Sequence, residues 1–147
     1  MKRLILLILI AIVGIFGLTG CQNEKEISTT EKYSDMYERT FVDVMAVYPV
    51  VAPILMTEEE DFDKIVKEIN EVIERLNDEN VHFFSEEARE VVGKITSSAK
   101  KAIEYHELYL NSDYSMELKQ STMNEITKIA DLMREYAKLY DEFLRNR

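Results

Sequence analysis

From Tyr33 onward, apolar side chains recur three and four residues apart, the period of one helix face. No stretch of useful length alternates every second residue as a half-buried strand does. The first run, helix 1, opens at the capping residues Ser28, Thr29 and Thr30 and carries Tyr33, Tyr37, Phe41, Val44, Tyr48, Val51 and Leu55 on one stripe. Thr57 followed by Glu58-Glu59-Glu60 reads as an N-cap with a Thr-x-x-Glu capping box, its carboxylates favoured by the helix dipole. Helix 2 follows, with Phe62, Ile65, Ile69, Val72 and Leu76 inward and Val66 and Ile73 widening the face; Asn77 to Asn80 closes it. Ser85 caps helix 3, where Ala88, Val91, Val92, Ile95, Ala99, Ala102, Ile103, His106 and Leu110 line one side and Arg89, Lys94, Lys101 and Glu104 the other. After a break at Asn111-Ser112-Asp113, helix 4 presents Leu118, Thr122, Ile126, Ile129, Met133, Tyr136, Tyr140 and Phe143.

Four amphipathic helices joined by short polar turns predict an all-α fold, an antiparallel up-down four-helix bundle. The segment Val47 to Met56 interrupts the regularity. Pro49 and Pro53 each lack a backbone donor one turn apart, so helix 1 is expected to kink at Pro49/Pro53 or break near Tyr48. The segment is also apolar on every side, which predicts a central helix wrapped by the others. An exposed apolar patch, the mark of a partner or membrane site, is the alternative.

Ahead of the helices, Lys2 and Arg3 precede an apolar run from Leu4 to Leu18, 15 residues long. A basic start, a short apolar core and small residues at a cut site are the parts of a secretory signal peptide. A bilayer-spanning helix needs about 20 residues. The quartet Leu18-Thr19-Gly20-Cys21, at the only cysteine of the chain, resembles the lipobox of bacterial lipoproteins. The resemblance covers residues 1–21 only. It implies cleavage after Gly20, a lipid on Cys21 and a place on the extracytoplasmic face of the cell membrane. Stable anchoring takes two acyl chains or one chain plus a basic patch, at about 0.8 kcal/mol per buried CH₂. A diacylated Cys21 meets that requirement alone. The expected organisation is a signal peptide over 1–20, lipidated Cys21 with a flexible tether over 21–30, and a helical bundle over 31–147.

Charge narrows the partners. The whole chain carries a net charge of −10; losing Lys2 and Arg3 with the signal leaves 16 basic against 28 acidic side chains, a net of −12. Such a balance disfavours nucleic acid, whose phosphates need Lys and Arg. Without a second cysteine no internal disulfide forms, so packing must supply stability.

Candidate chemistry is sparse. Glu79-x-x-His82 looks like half of the di-iron signature of ferritin-like bundles, but Ile103 stands where His106 would need its carboxylate. Asp78 to Arg89 fails as a calcium loop: Phe83 occupies the glycine position and Arg89 the bidentate glutamate position. His106 lies on the apolar stripe of helix 3 and reads as a hydrogen-bonded boundary residue, at most a pH sensor. No Gly-x-Ser-x-Gly elbow surrounds Ser97, Ser98 or Ser121. Neither an enzyme, a cofactor nor a metal is expected. Tyrosines spaced by four, Tyr33/Tyr37, Tyr105/Tyr109 and Tyr136/Tyr140, each share a helix face at core margins or at an interface. With Tyr48, Pro49 and Pro53, the pairs Tyr105/Tyr109 and Tyr136/Tyr140 are the candidate contact residues. The expected role is a lipid-anchored, non-catalytic interaction module whose partner is another envelope protein. The alternatives are a carrier or sensor whose cavity near Pro49 and Pro53 takes up a small apolar ligand or acyl chain, and surface protection against phage or conjugation.

Overall fold

The computed structural model describes residues 29–79 and 81–147, with side chains described from Asp35 onward. Four α-helices make up the domain: α1 (Thr29–Val51), α2 (Glu59–Asn77), α3 (Glu86–Asn111) and α4 (Met116–Arg145). A 3-10 segment, Ala52–Met56, continues α1, and no strand occurs among the described residues.

All four helices contribute to one buried cluster. Val44, Val47 and Val51 come from α1 and Ile54 from the 3-10 segment. Ile69, Val72, Ile73 and Leu76 come from α2, the Ala88–Ala102 stripe from α3, and Ile126, Ile129, Leu132 and Tyr136 from α4. The most extensive pairing is between α3 and α4. The sequence of α3 accounts for that: its inward positions include Ala88, Ser98, Ala99 and Ala102, small side chains that let a neighbouring backbone come close, with Ile126 and Ile129 of α4 filling the core beside them.

The helix ends follow local chemistry, with one departure. Ser85 caps α3 as the sequence predicts, its Oγ accepting from the Ala88 amide at 3.1 Å. Thr57 does not cap α2. The N-cap is Glu58, which makes no side-chain cap bond; the Thr57 hydroxyl instead donates back to the Pro53 carbonyl at 3.0 Å. That hydroxyl satisfies an acceptor at the end of the 3-10 segment, so it is unavailable to the expected capping box. Between α3 and α4 the chain turns without glycine: Asp113 (φ 48°) and Tyr114 (φ 62°) take left-handed conformations in succession. Gly93, inside α3, is the only glycine after residue 20, so turn residues with side chains must bear that strain.

Helix α1 departs from the expected phase. Thr40, Val44, Val47, Val51 and Ile54 are buried, whereas Tyr48 is 39% exposed. The inward stripe is rotated by about one residue from the predicted one. Pro49 lies inside α1, so α-helical structure persists past Tyr48 to Val51 before tightening to 3-10. Pro49 and Pro53 are both exposed. Pro49 has no N–H for the Met45 carbonyl and Pro53 none for the Pro49 carbonyl; facing the prolines outward gives those acceptors access to water. Segment 47–56 is therefore half core and half surface, a correction to the expected wrapped central helix.

A cluster of aromatic rings joins α1, the α2–α3 connection and α4. Tyr37 meets Phe143 edge-on at 5.4 Å, Phe41 stacks on Tyr140 at 4.5 Å, and Phe84 stacks on Phe143 at 5.1 Å. Thr40 fastens the connection to α1, its hydroxyl lying 3.1 Å from both the Met36 and His82 carbonyls. An exposed Arg75–Asp43 contact at 3.3 Å adds a cross-link between α2 and α1, the kind of surface pair that contributes under about 1 kcal/mol.

Candidate docking surface

With the core on the inner side, the outer side of α1 is charged at Asp35, Glu38 and Arg39 and becomes apolar from Val42 into the 3-10 segment. Val42 is 61% exposed and Met56 85% exposed; Pro49 and Pro53 lie between them. Positions 42, 49, 53 and 56 are separated by seven, four and three residues, so they share one face. Asp35–Met56 is also long and apolar enough to cross a membrane by length and composition alone, with mean hydropathy 1.5. In the fold the same segment gives Val44, Val47, Val51 and Ile54 to the core.

At the end of this face an open groove of about 530 Å³ lies between the 3-10 segment and α2. Pro53, Met56 and Ile65 supply its apolar surface. Among the described residues, Glu58, Asp61 and Glu68 are its anions and Lys64 its one cation. Thr57 stands at its head and is held three ways: its amide donates to the Ile54 carbonyl at 3.1 Å, its hydroxyl to the Pro53 carbonyl at 3.0 Å, and its carbonyl accepts from His106 Nε2 at 3.0 Å. A corner so pinned gives the groove a fixed wall.

His106 is fully buried, with its ring 5.9 Å from Phe62 and 5.3 Å from Tyr109. Because Nε2 faces a carbonyl it must carry a proton, which leaves Nδ1 bare in the neutral ring; Nδ1 has no hydrogen-bond partner among the described residues. Burial pushes its pKa below the ordinary 6.5. The Thr57 carbonyl opposes that shift, and the nearby Lys119 charge adds to it. The arrangement favours a neutral strut between α3 and the Thr57 corner.

The other predicted site residues scatter. Cys21 and Gly20 lie outside the described residues. Tyr105 and Tyr109 are half-buried on α3, Tyr109 meeting Tyr114 edge-on at 5.2 Å. Tyr140 is half-buried in the aromatic cluster. Tyr136 is fully buried, so it has no surface with which to touch a partner and belongs to the core, a correction to its reading as a contact residue. The tyrosine pairs thus do not assemble one face. His82 is half-buried and offers its carbonyl to Thr40; among the described residues no three His, Cys, Asp or Glu side chains converge as metal ligands. The Ser121 hydroxyl donates to the Glu117 carbonyl at 3.0 Å within its own helix.

The groove borders Pro53, close to where the carrier alternative expects a cavity, whereas the His106–Thr57 contact was not among the predicted features. Two prolines spaced by four, followed directly by an acidic run, were the available signal. Comparison of the chain with protein families, with curated proteins and with solved structures finds no match.

Proposed function

We propose that the protein is a lipid-anchored cell-envelope lipoprotein whose helical domain is a non-catalytic docking module. The observation that carries the docking half is the apolar outer face of α1, left uncovered although the domain behind it has a closed core; such faces mark interaction sites. The lipobox-like quartet at Leu18–Cys21 carries the anchoring half. Residues 1–20 are the signal, and Cys21 holds the domain to the extracytoplasmic face through the short segment before α1.

In this reading the four helices run up-down-up-down, with α1 bent at Pro49/Pro53. Two contacts support that order. The first half of α1 meets the last turns of α4 through Tyr37 and Phe143, and the Thr57 corner meets the second half of α3 through His106. The anchor then leaves from one end of the bundle and the groove opens at the other. With α1 spanning about 35 Å at 1.5 Å per residue, the groove faces away from the bilayer and toward neighbouring envelope proteins. A carrier of an apolar ligand would draw on the same groove, but the groove is open to solvent and half-lined by charge, which suits a macromolecular surface better than an acyl chain.

Metabolic labelling with a clickable fatty acid, in wild type and Cys21→Ala, tests the anchor: label on the wild type alone supports it, and a native chain that begins at Met1 refutes it. A photoreactive residue at Met56 in intact cells tests the docking face. A discrete protein adduct absent from the same probe placed at exposed Gln120 is the expected result.

A further inference from the structure

We propose that the groove between the 3-10 segment and α2 receives a cationic amphipathic helix, presented by a protein partner with lysine or arginine beside an apolar stripe. The inference rests on the docking reading above and gives the partner its chemistry.

Apolar surface in the groove is supplied by three side chains, two from the 3-10 segment and one from α2. Met56, 85% exposed, is unbranched and conforms to irregular apolar partners; Pro53 is rigid; Ile65 is the half-buried floor from α2. Carboxylates flank that floor. Asp61, Ile65 and Glu68 stand at i, i+4 and i+7 along α2, so both acids lie on one face with the isoleucine between them. Seven residues rise about 10.5 Å, two helical turns. A partner helix lying along α2 repeats the same spacing, so cations seven residues apart meet Asp61 and Glu68 while an apolar residue between them meets Ile65. Glu58 adds a third anion at the corner, against Lys64 as the single cation among the described residues. An anionic or purely apolar segment would leave these carboxylates opposed or desolvated without a partner, at a cost that a cationic one avoids. The pinned Thr57 corner keeps the two walls at a fixed separation, so binding need not order them.

The probe is a fluorescein-labelled peptide of leucine and lysine, about 18 residues or five helical turns, with lysines seven apart beside one leucine face. It is titrated by anisotropy into the full chain in nonionic detergent, where peptide partition into micelles is a background common to all variants. Asp61→Lys with Glu68→Lys is expected to weaken binding about tenfold or more, since close opposed charges are replaced by repelling ones. Lys64→Glu is expected to tighten it about threefold, an outcome that misfolding cannot imitate. Glu135→Lys with Glu142→Lys, exposed acids at the same spacing on α4, is the control and is expected to leave affinity within about twofold. Equal weakening by both double variants means attraction to net charge alone and overturns the proposal, as does a peptide that binds no tighter than a leucine–glutamate counterpart. Cys21→Ala is expected to bind the probe like wild type; a wild-type chain that takes up no fatty-acid label yet binds the peptide would remove the anchor reading and leave the groove, and a labelled wild-type chain that does not bind the peptide would remove the groove alone.

Discussion

Replacing Tyr136 by phenylalanine should stabilise the protein, the opposite of the usual effect of trimming a buried tyrosine. Tyr136 has no exposed surface, and its hydroxyl has no hydrogen-bond partner among the described residues. Burial drives its pKa well above the ordinary tyrosine value of 10, with Tyr140 adding to the shift. An unpaired hydroxyl in such a place carries a desolvation penalty of about 1–3 kcal/mol, because water that solvated it in the unfolded chain is not replaced. Phenylalanine keeps the ring, and with it the 6.2 Å stacking on Phe41 and the 5.5 Å contact with Phe84. No methylene is lost, so no sizeable cavity opens to offset the gain.

The net expectation is a gain of about 1–2 kcal/mol. For roughly 120 ordered residues at about 2.1 cal/mol/K each, the unfolding entropy is near 0.25 kcal/mol/K, so the melting temperature should rise by about 4–8 °C. Calorimetry and urea unfolding measure this directly, the urea midpoint moving up at constant slope. Tyr140→Phe is the internal comparison: Tyr140 is only half-buried, and removal of its hydroxyl should change stability by less than about 0.5 kcal/mol. A Tyr136→Phe variant that melts lower than wild type would show that the hydroxyl is hydrogen-bonded, and would refute the reasoning.

Three further changes probe other parts of the fold. Gly93→Ala should raise stability by about 0.8–1 kcal/mol in the same calorimetric assay, because Gly93 is exposed inside α3 and a Cβ there meets nothing within 4 Å; an unchanged melting temperature would count against it. Ser85→Ala should cost about 1 kcal/mol through loss of the Ala88 cap, with Ser85→Asp restoring most of it. His106 has a pKa depressed by burial, so its neutral form supports the fold above 6.5 and that support is lost as pH falls from 6.5 through the lower folded value. Wild-type unfolding free energy should therefore decline on acidification below pH 6.5 more steeply than that of His106→Gln, and parallel slopes between the two would remove His106 as the cause.

How much was legible in the sequence differs from helix to helix. In α2, α3 and α4 the apolar stripe is bounded by charged residues on the other faces, so only one rotation buries it: Ile69, Val72 and Leu76, then Val91, Ile95 and Ala99, then Ile126 and Ile129 all lie inside where the spacing puts them. The Ser85 cap was equally readable, since a serine followed by acids has one local use. Thr57 looked the same on paper, yet its hydroxyl had a nearer acceptor in the Pro53 carbonyl, a competitor created by the 3-10 turn rather than by sequence pattern. The aromatic cluster also lay beyond local reading. Phe84 meets Tyr136 and Phe143 from the α2–α3 connection, which the Thr40–His82 contact fastens to α1 across 42 residues of sequence.

Helix α1 shows why the docking face in particular could not be phased from spacing. Between Val47 and Met56 every side is apolar, so the hydrophobic effect alone is nearly indifferent to rotation about the helix axis. Something weaker must then choose. Proline supplies the asymmetry: the acceptors orphaned by Pro49 and Pro53 cost little against water and several times more against the core. Turning the prolines out draws Val47, Val51 and Ile54 in and carries Val42 and Met56 to the surface. The exposed apolar face is thus set by where two backbone donors are missing, while four carboxylates at the start of α2, Glu58 to Asp61, keep its end soluble. Substituting both prolines by alanine would restore the donors and remove the preference. The physical expectation is that α1 then loses its fixed rotation before the domain loses its helices, which would appear as broadened Val47 and Ile54 methyl resonances at unchanged helical circular dichroism. Sharp, unshifted methyl signals in that variant would mean that packing alone sets the phase of α1.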